Sequence, residues 1–160
     1  EETLRQNVYE RQEKVFDIRN RVEKELARAH IEAKFAWDKG ATEKEMEPVL
    51  LALRKGQWRW DYAVASHGAS FHAPQEVTRL LGVALNYAQT ARIDIARILA
   101  RHGYTKEVPM PDISTKDKAQ SYIGLDMKKL KAQKKDFLNT IVPQWVKEAK
   151  KNGRFITKEM

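Results

Sequence analysis

Residues 74–103, PQEVTRLLGVALNYAQTARIDIARILARHG, decide the fold class. Val77, Leu81, Ala84, Ala88, Ala91, Ile95, Ile98 and His102 alternate steps of four and three along this stretch. That spacing is the seam of a helix packed lengthwise against other helices. Pro74 suits the first helical position, where its missing N–H costs nothing. Gly103 can end the helix, and the alanines at its centre predict that a neighbouring helix comes close.

Upstream, Thr3 to Lys39 contains neither Gly nor Pro. Leu4, Val8, Val15, Ile18, Val22, Leu26, Ala29, Ala33 and Ala36 share one face of a helix roughly 55 Å long. Gly40 is its expected C-cap, and Thr42 with Glu45 reads as a capping box opening a second helix. Pro48 predicts a kink or a delayed start there. This helix is expected to reach about Ser66, with a loop from His67 to Ala73 leading to Pro74. Downstream, the two prolines of Val108 to Asp112 require extended chain. Ser114 or Thr115 caps a short helix ending near Gly124. Asp126 caps another, kinked at Pro143 and fraying from Asn152. No window alternates as a strand does. The fold expected is all-α, one domain spanning 1–160, an elongated bundle of four to five helices with long first and third members.

Composition narrows the chemistry. The 160 residues are 42% hydrophobic and 32% charged, which suits amphipathic helices with wet outer faces. There is no cysteine, so disulfides, thiolate metal sites, thiol nucleophiles and any attachment through cysteine are excluded within the chain. The net charge of +8 points to a solvated basic surface before it points to nucleic acid. The lysines at 128, 129, 131, 134, 135, 147, 150 and 151 have little interleaved aromatic or arginine content, so no nucleic-acid partner is expected. No apolar run approaches the ~20 residues of a membrane span. Glu1 in place of Met suggests that the chain begins inside a longer gene product or after processing.

The residues with most chemical potential lie between Gln57 and Glu76, QWRWDYAVASHGASFHAPQE. Trp58 and Trp60, two positions apart, cannot both face one side of a helix, so one is expected to pack inward and the other to meet a second surface. His67 and His72 fall at a helix end and in a loop, free to reach a ligand. A zinc site is weak, because the loop offers no third ligand. His30 and His102 take seam-like positions and read as packing histidines. Ser66 beside His67 is adjacency and not a catalytic pair.

HIEAKFAWDKGAT (30–42), QWRWDYAVASHG (57–68), HAP (72–74) and VPMPDISTKDKAQSYIGLD (108–126) resemble, in order, the C-terminal part of the pentahaem, ammonia-forming cytochrome c nitrite reductases. The resemblance implies a C-terminal fragment of a longer multihaem c-type cytochrome, periplasmic and homodimeric, that reduces nitrite to ammonium with six electrons. It implies haem c and calcium bound by an upstream haem-bearing part of the same protein, with no cofactor on this chain alone and no catalytic residue in it. The electron donor implied is a quinol-oxidising protein or another cytochrome. His72, in the HAP match, is implied as the distal iron ligand of one haem. His67 is implied near that haem without touching the metal. Ser70 stands where the family often has a further histidine. Trp58 or Trp60 is expected at an interface or on the haem side, and the first and third helices at the dimer contact. The alternative is a haem-independent helical module for dimerisation or partner binding.

Overall fold

The computed structural model describes residues 2–66 and 68–154, and every regular element among them is a helix. These are α1 Glu2–Asp38, α2 Glu43–Ala65, α3 Ala69–His72, α4 Pro74–Arg101, α5 Lys116–Tyr122 and α6 Met127–Lys151. The all-α class expected from the periodicity is the one observed. The extra helix comes from the stretch expected as a loop before Pro74, part of which winds into the single turn α3. Gly68 opens that turn at φ +82°, a backbone state available cheaply only to glycine. The His72 N–H donates to the Gly68 carbonyl at 2.9 Å, and the Ala73 N–H to Ala69 at 2.8 Å. Pro74 then drives Ala73 out of helical geometry, to φ −137° and ψ 53°, and α4 restarts at the proline itself. Read from sequence as one domain, the chain divides into two compact units, Glu1–Met110 and Pro111–Met160.

In the first unit the seam of α4 meets α1 and α2. One core cluster gathers Ala29, Ala33 and Ala36 of α1, Met46, Val49 and Leu53 of α2, and Ala91, Ile95, Ile98 and Leu99 of α4. The other gathers Val15, Val22 and Leu26 with Val77, Leu81, Ala84 and Ala88, and Trp60 packs against it. Low numbers in α1 thus meet low numbers in α4, so these two helices run parallel while α2 runs antiparallel to both. Met46, Leu81 and Ile95 are fully buried, and each such side chain contributes about 1.5–3 kcal/mol through removal from water. The predicted close approach is real. A Cβ built on Gly56 of α2 would stand 3.2 Å from Leu26 Cδ2 and 3.3 Å from the Ala84 carbonyl oxygen.

Polar contacts fix the register that the apolar seam permits. Arg92 of α4 lies between Glu25 and Glu32, two turns apart on α1. Its Nη1 donates to Glu25 at 2.7 Å, and its Nη2 and Nε donate to Glu32 at 2.8 and 2.9 Å. Glu32, then Glu25, holds the guanidinium more firmly protonated than an ordinary arginine, against the cost of its partial burial. The capping box forms as read: Thr42 Oγ accepts from the Glu45 N–H at 3.3 Å, and the Thr42 N–H donates to the Glu45 carboxylate at 2.9 Å. With that cap in place α2 begins at Glu43, and Pro48 delays nothing.

The second unit holds α5 and α6. Thr115 and Asp126 accept from the N–H groups of Lys118 and Lys129, the N-caps expected. Asp112, before α5, accepts from Lys118 and from the Ser114 N–H. The first of these does most to hold its carboxyl down at about 2. Pro143 lies inside a continuous α6. No residue of either helix is buried, and Leu130, Phe137, Leu138 and Trp145 stand exposed, with Trp145 set edge-on to Phe137 at 5.4 Å.

Candidate functional site

His72 is the last residue of α3, a turn that packs against both α1 and α4. The ring is exposed, and three local features set its surroundings. The positive φ of Gly68 brings backbone beneath it, so that a Cβ there would lie 3.5 Å from the His72 Cδ2. Phe71 meets the imidazole edge-on at 4.8 Å. Pro74 then turns the chain away into α4. Among the described residues neither nitrogen of the imidazole makes a hydrogen bond.

The histidine lines a cleft of about 870 Å³ with Arg11, Lys14 and Val15 of α1 and with Pro74, Glu76, Thr78 and Arg79 of α4. Arg79 is matched: its Nε and Nη2 both donate to the Glu76 carboxylate, at 2.7 and 2.6 Å, which lowers the Glu76 pKa. Arg11 and Lys14 have no such carboxylate among the described residues. The cleft is thus apolar at Val15 and Pro74 and positive along α1. Neither cation was singled out from the sequence, because they lie far upstream of His72 and meet it only through the parallel packing of α1 on α4.

The two tryptophans face opposite ways. Trp60 packs inward, half-buried, and its Nε1–H donates to the Arg19 carbonyl at 3.2 Å. Trp58 is 62% exposed and stacks on Tyr62 at 5.8 Å. It lines a separate groove of about 640 Å³ with His30, Trp37, Leu50 and Arg54. His30 is therefore exposed on a groove wall, not packed in the seam, which passes through Ala29 and Ala33 instead. His102 follows the last turn of α4, and its Nε2 stands 3.1 Å from the Glu45 carboxylate. That carboxylate has its pKa lowered to about 2, first by the Thr42 N–H and then by His102. His67 lies outside the described residues. Ser70, in the place of the family histidine, is half-buried within α3.

Among the described residues no three His, Cys, Asp or Glu side chains converge on a point where they could hold a metal ion. What the residues do fit is one axial position on an iron carried elsewhere. His72 offers an unengaged imidazole at the mouth of an apolar, cationic cleft, and a chain without cysteine has no thioether of its own to anchor a haem. No helix is long and apolar enough to cross a membrane among the described residues.

A family model described as Cytochrome c552 matches residues 1–155. Proteins named Cytochrome c-552 from Porphyromonas gingivalis and Bacteroides thetaiotaomicron are 67% and 63% identical to the chain over 98% and 99% of its length. One from Parabacteroides distasonis is 64% identical over 96%. The chain spans 31 to 32% of the length of these relatives. This corrects the family expected from the quoted peptides, the pentahaem ammonia-forming nitrite reductases. Those peptides form the end of α1 and its cap, the second half of α2, the start of α4 and the chain around α5, which are scaffold and do not specify a reaction. With a family model over nearly all its residues and relatives above 60% identity, the chain belongs to the cytochrome c552 family, a family of haem-containing electron-transfer proteins.

Proposed function

We propose that this chain supplies, through His72, the distal axial ligand of one haem c that is attached in another part of the same protein. The observation that carries this is the imidazole itself, exposed on the cationic cleft between Gly68 and Pro74 and without a hydrogen-bond partner among the described residues. A bis-histidine haem supplies low-spin, one-electron chemistry with both axial positions closed to substrate. The chain's part is to present the imidazole and to line one side of the cleft with Val15 and Pro74. The test is His72→Ala in the whole haem-loaded protein, with His72→Met beside it. One low-spin haem is expected to become high-spin in the first variant and to rise in potential in the second. Unchanged spectra in both would reject the ligand.

The finer reading is that the whole protein is a periplasmic enzyme that reduces nitrite to ammonium, fed by a quinol-oxidising or cytochrome donor. Nitrite-dependent oxidation of a reduced sample, with ammonium measured, tests it. No ammonium would end that reading, and recovery of the protein from the cytoplasmic fraction would end the location. A homodimer is part of the same proposal. Since the seams of α1 and α4 are used against each other, such a contact falls to other faces, such as Leu4, Tyr9 and Phe16 on α1, all exposed. Light scattering that returns a monomer mass for the haem-loaded protein would exclude it.

A further inference from the structure

Arg11 and Lys14 sit one turn apart on α1, on the wall of the cleft that His72 overlooks. Both are exposed, and both lack a carboxylate partner among the described residues, whereas Arg79 across the cleft is fully occupied by Glu76. Two unmatched cations beside an apolar strip of Val15 and Pro74 form a surface for a planar, apolar body that carries carboxylates at its edge. A haem with its two propionates has that chemistry. Resting on His72 as the distal ligand, we infer that Arg11 and Lys14 hold the propionates of that same haem and set its potential. Positive charge beside a haem favours the reduced iron, because reduction adds an electron to the site. The two residues are positioning and electrostatic residues, since neither touches the iron.

The same two cations could instead gather a free anion such as nitrite, and the experiment separates these sources. It uses the whole haem-loaded protein and the variants Arg11→Gln, Lys14→Gln and the double, with Arg11→Lys as the charge-preserving control. Lys24→Gln, an exposed lysine roughly 15 Å further along α1, removes the same charge away from the cleft. Each is titrated potentiometrically while the low-spin signal that His72→Met alters is followed. The double variant is expected to lower the equilibrium constant for reducing that one haem by about tenfold, which is about 59 mV for a one-electron couple. Arg11→Lys and Lys24→Gln are expected to leave it close to the parent value. An unmoved potential in the double variant, or an equal shift in Lys24→Gln, overturns the inference while His72 stands. A rise in the KM for nitrite with no change in potential assigns the cations to anion gathering and overturns it as well. If His72→Met alters no signal, the ligand reading and this inference fall together.

Discussion

Replacing Arg92 with methionine keeps much of the aliphatic stem and deletes the charge that joins α4 to α1. In the parent, one guanidinium faces two carboxylates, at 2.7 Å to Glu25 and 2.8 Å to Glu32. The side chains are 31% exposed for Arg92, 20% for Glu25 and 11% for Glu32, so water screens them only in part. Each pair contributes a gross attraction of about 4 kcal/mol at the effective dielectric of such a site, most of it cancelled by desolvation. The larger effect is what the deletion leaves behind, two half-sheltered carboxylates on one face of α1 with no counter-charge. Breaking a fully buried pair costs about 3–5 kcal/mol, and the exposure here places Arg92→Met near the lower end, at about 3 kcal/mol. For a chain of this size that is about 6–12 °C in Tm.

Salt gives the sharper check. Without Arg92, the charges of Glu25 and Glu32 have no partner and repel each other, and added salt screens that repulsion as it screens the ion pairs of the parent. The gap between parent and variant should therefore be largest at low ionic strength and shrink as salt is added. Urea unfolding followed by helical circular dichroism at low and high salt measures it. The triple variant Glu25→Gln, Glu32→Gln, Arg92→Met should recover most of the loss. A gap under about 1 kcal/mol, a gap indifferent to salt, or a triple variant as weak as the single would show that the apolar seam alone sets the register.

Two further outcomes follow from the same unit. Glu45, held at about 2 by the Thr42 N–H and then His102, stabilises the fold above the ordinary glutamate range and loses that contribution as pH falls from about 4 through 2. Melting curves of the parent and Glu45→Gln should therefore converge on acidification, and a gap that stays constant from pH 6 to 2 would exclude the linkage. At Gly56, alanine gains about 1 kcal/mol of helix propensity and loses about 2 kcal/mol to the contacts with Leu26 and the Ala84 carbonyl, a net cost of about 1 kcal/mol. Gly56→Val adds methyl groups where backbone cannot yield and should cost about 3 kcal/mol in denaturant titration. Equal stability of the alanine and valine variants would mean that the three helices meet more loosely than drawn.

What could be read from the sequence was what is encoded within one helix. The four-three steps from Val77 to Ile98 and the Thr42–Glu45 cap need no knowledge of any other segment, and both appear as read, whereas His102, read as a packing histidine, lies exposed beyond the last turn of α4 against Glu45. The apolar face of α1 was also right in phase but too long. Leu4 is 73% exposed, because α4 begins at Pro74 and the parallel register that sets Val15 near Val77 leaves the start of α1 with nothing of α4 opposite. The turn α3 was missed because it depends on the φ of Gly68, which a sequence does not display. The Arg92 triad and the cations of the His72 cleft join residues some sixty positions apart, and no local pattern marks such pairs. The HAP peptide singles out His72, whose role as a haem ligand is a proposal, while the family that the peptides implied is corrected to cytochrome c552.

These two kinds of long-range contact are connected by geometry. α1 carries Arg11 and Lys14 towards its start and Glu25 and Glu32 further along, on one continuous helix. The ion triad fixes how far α1 has slid along α4, and α4 begins two residues after His72. A slip of one helical turn moves every α1 side chain by about 5.4 Å relative to α4, enough to carry both cations out of reach of a group at His72. Val22, Leu26, Ala29 and Ala33 repeat at three- and four-residue steps, so the apolar seam tolerates such a slip far better than Arg92 does, since its carboxylates recur at only two points. On this argument the triad stabilises the fold modestly and specifies it strongly. The inferred control of a haem potential by Arg11 and Lys14 would then depend on a salt bridge that contacts neither of them.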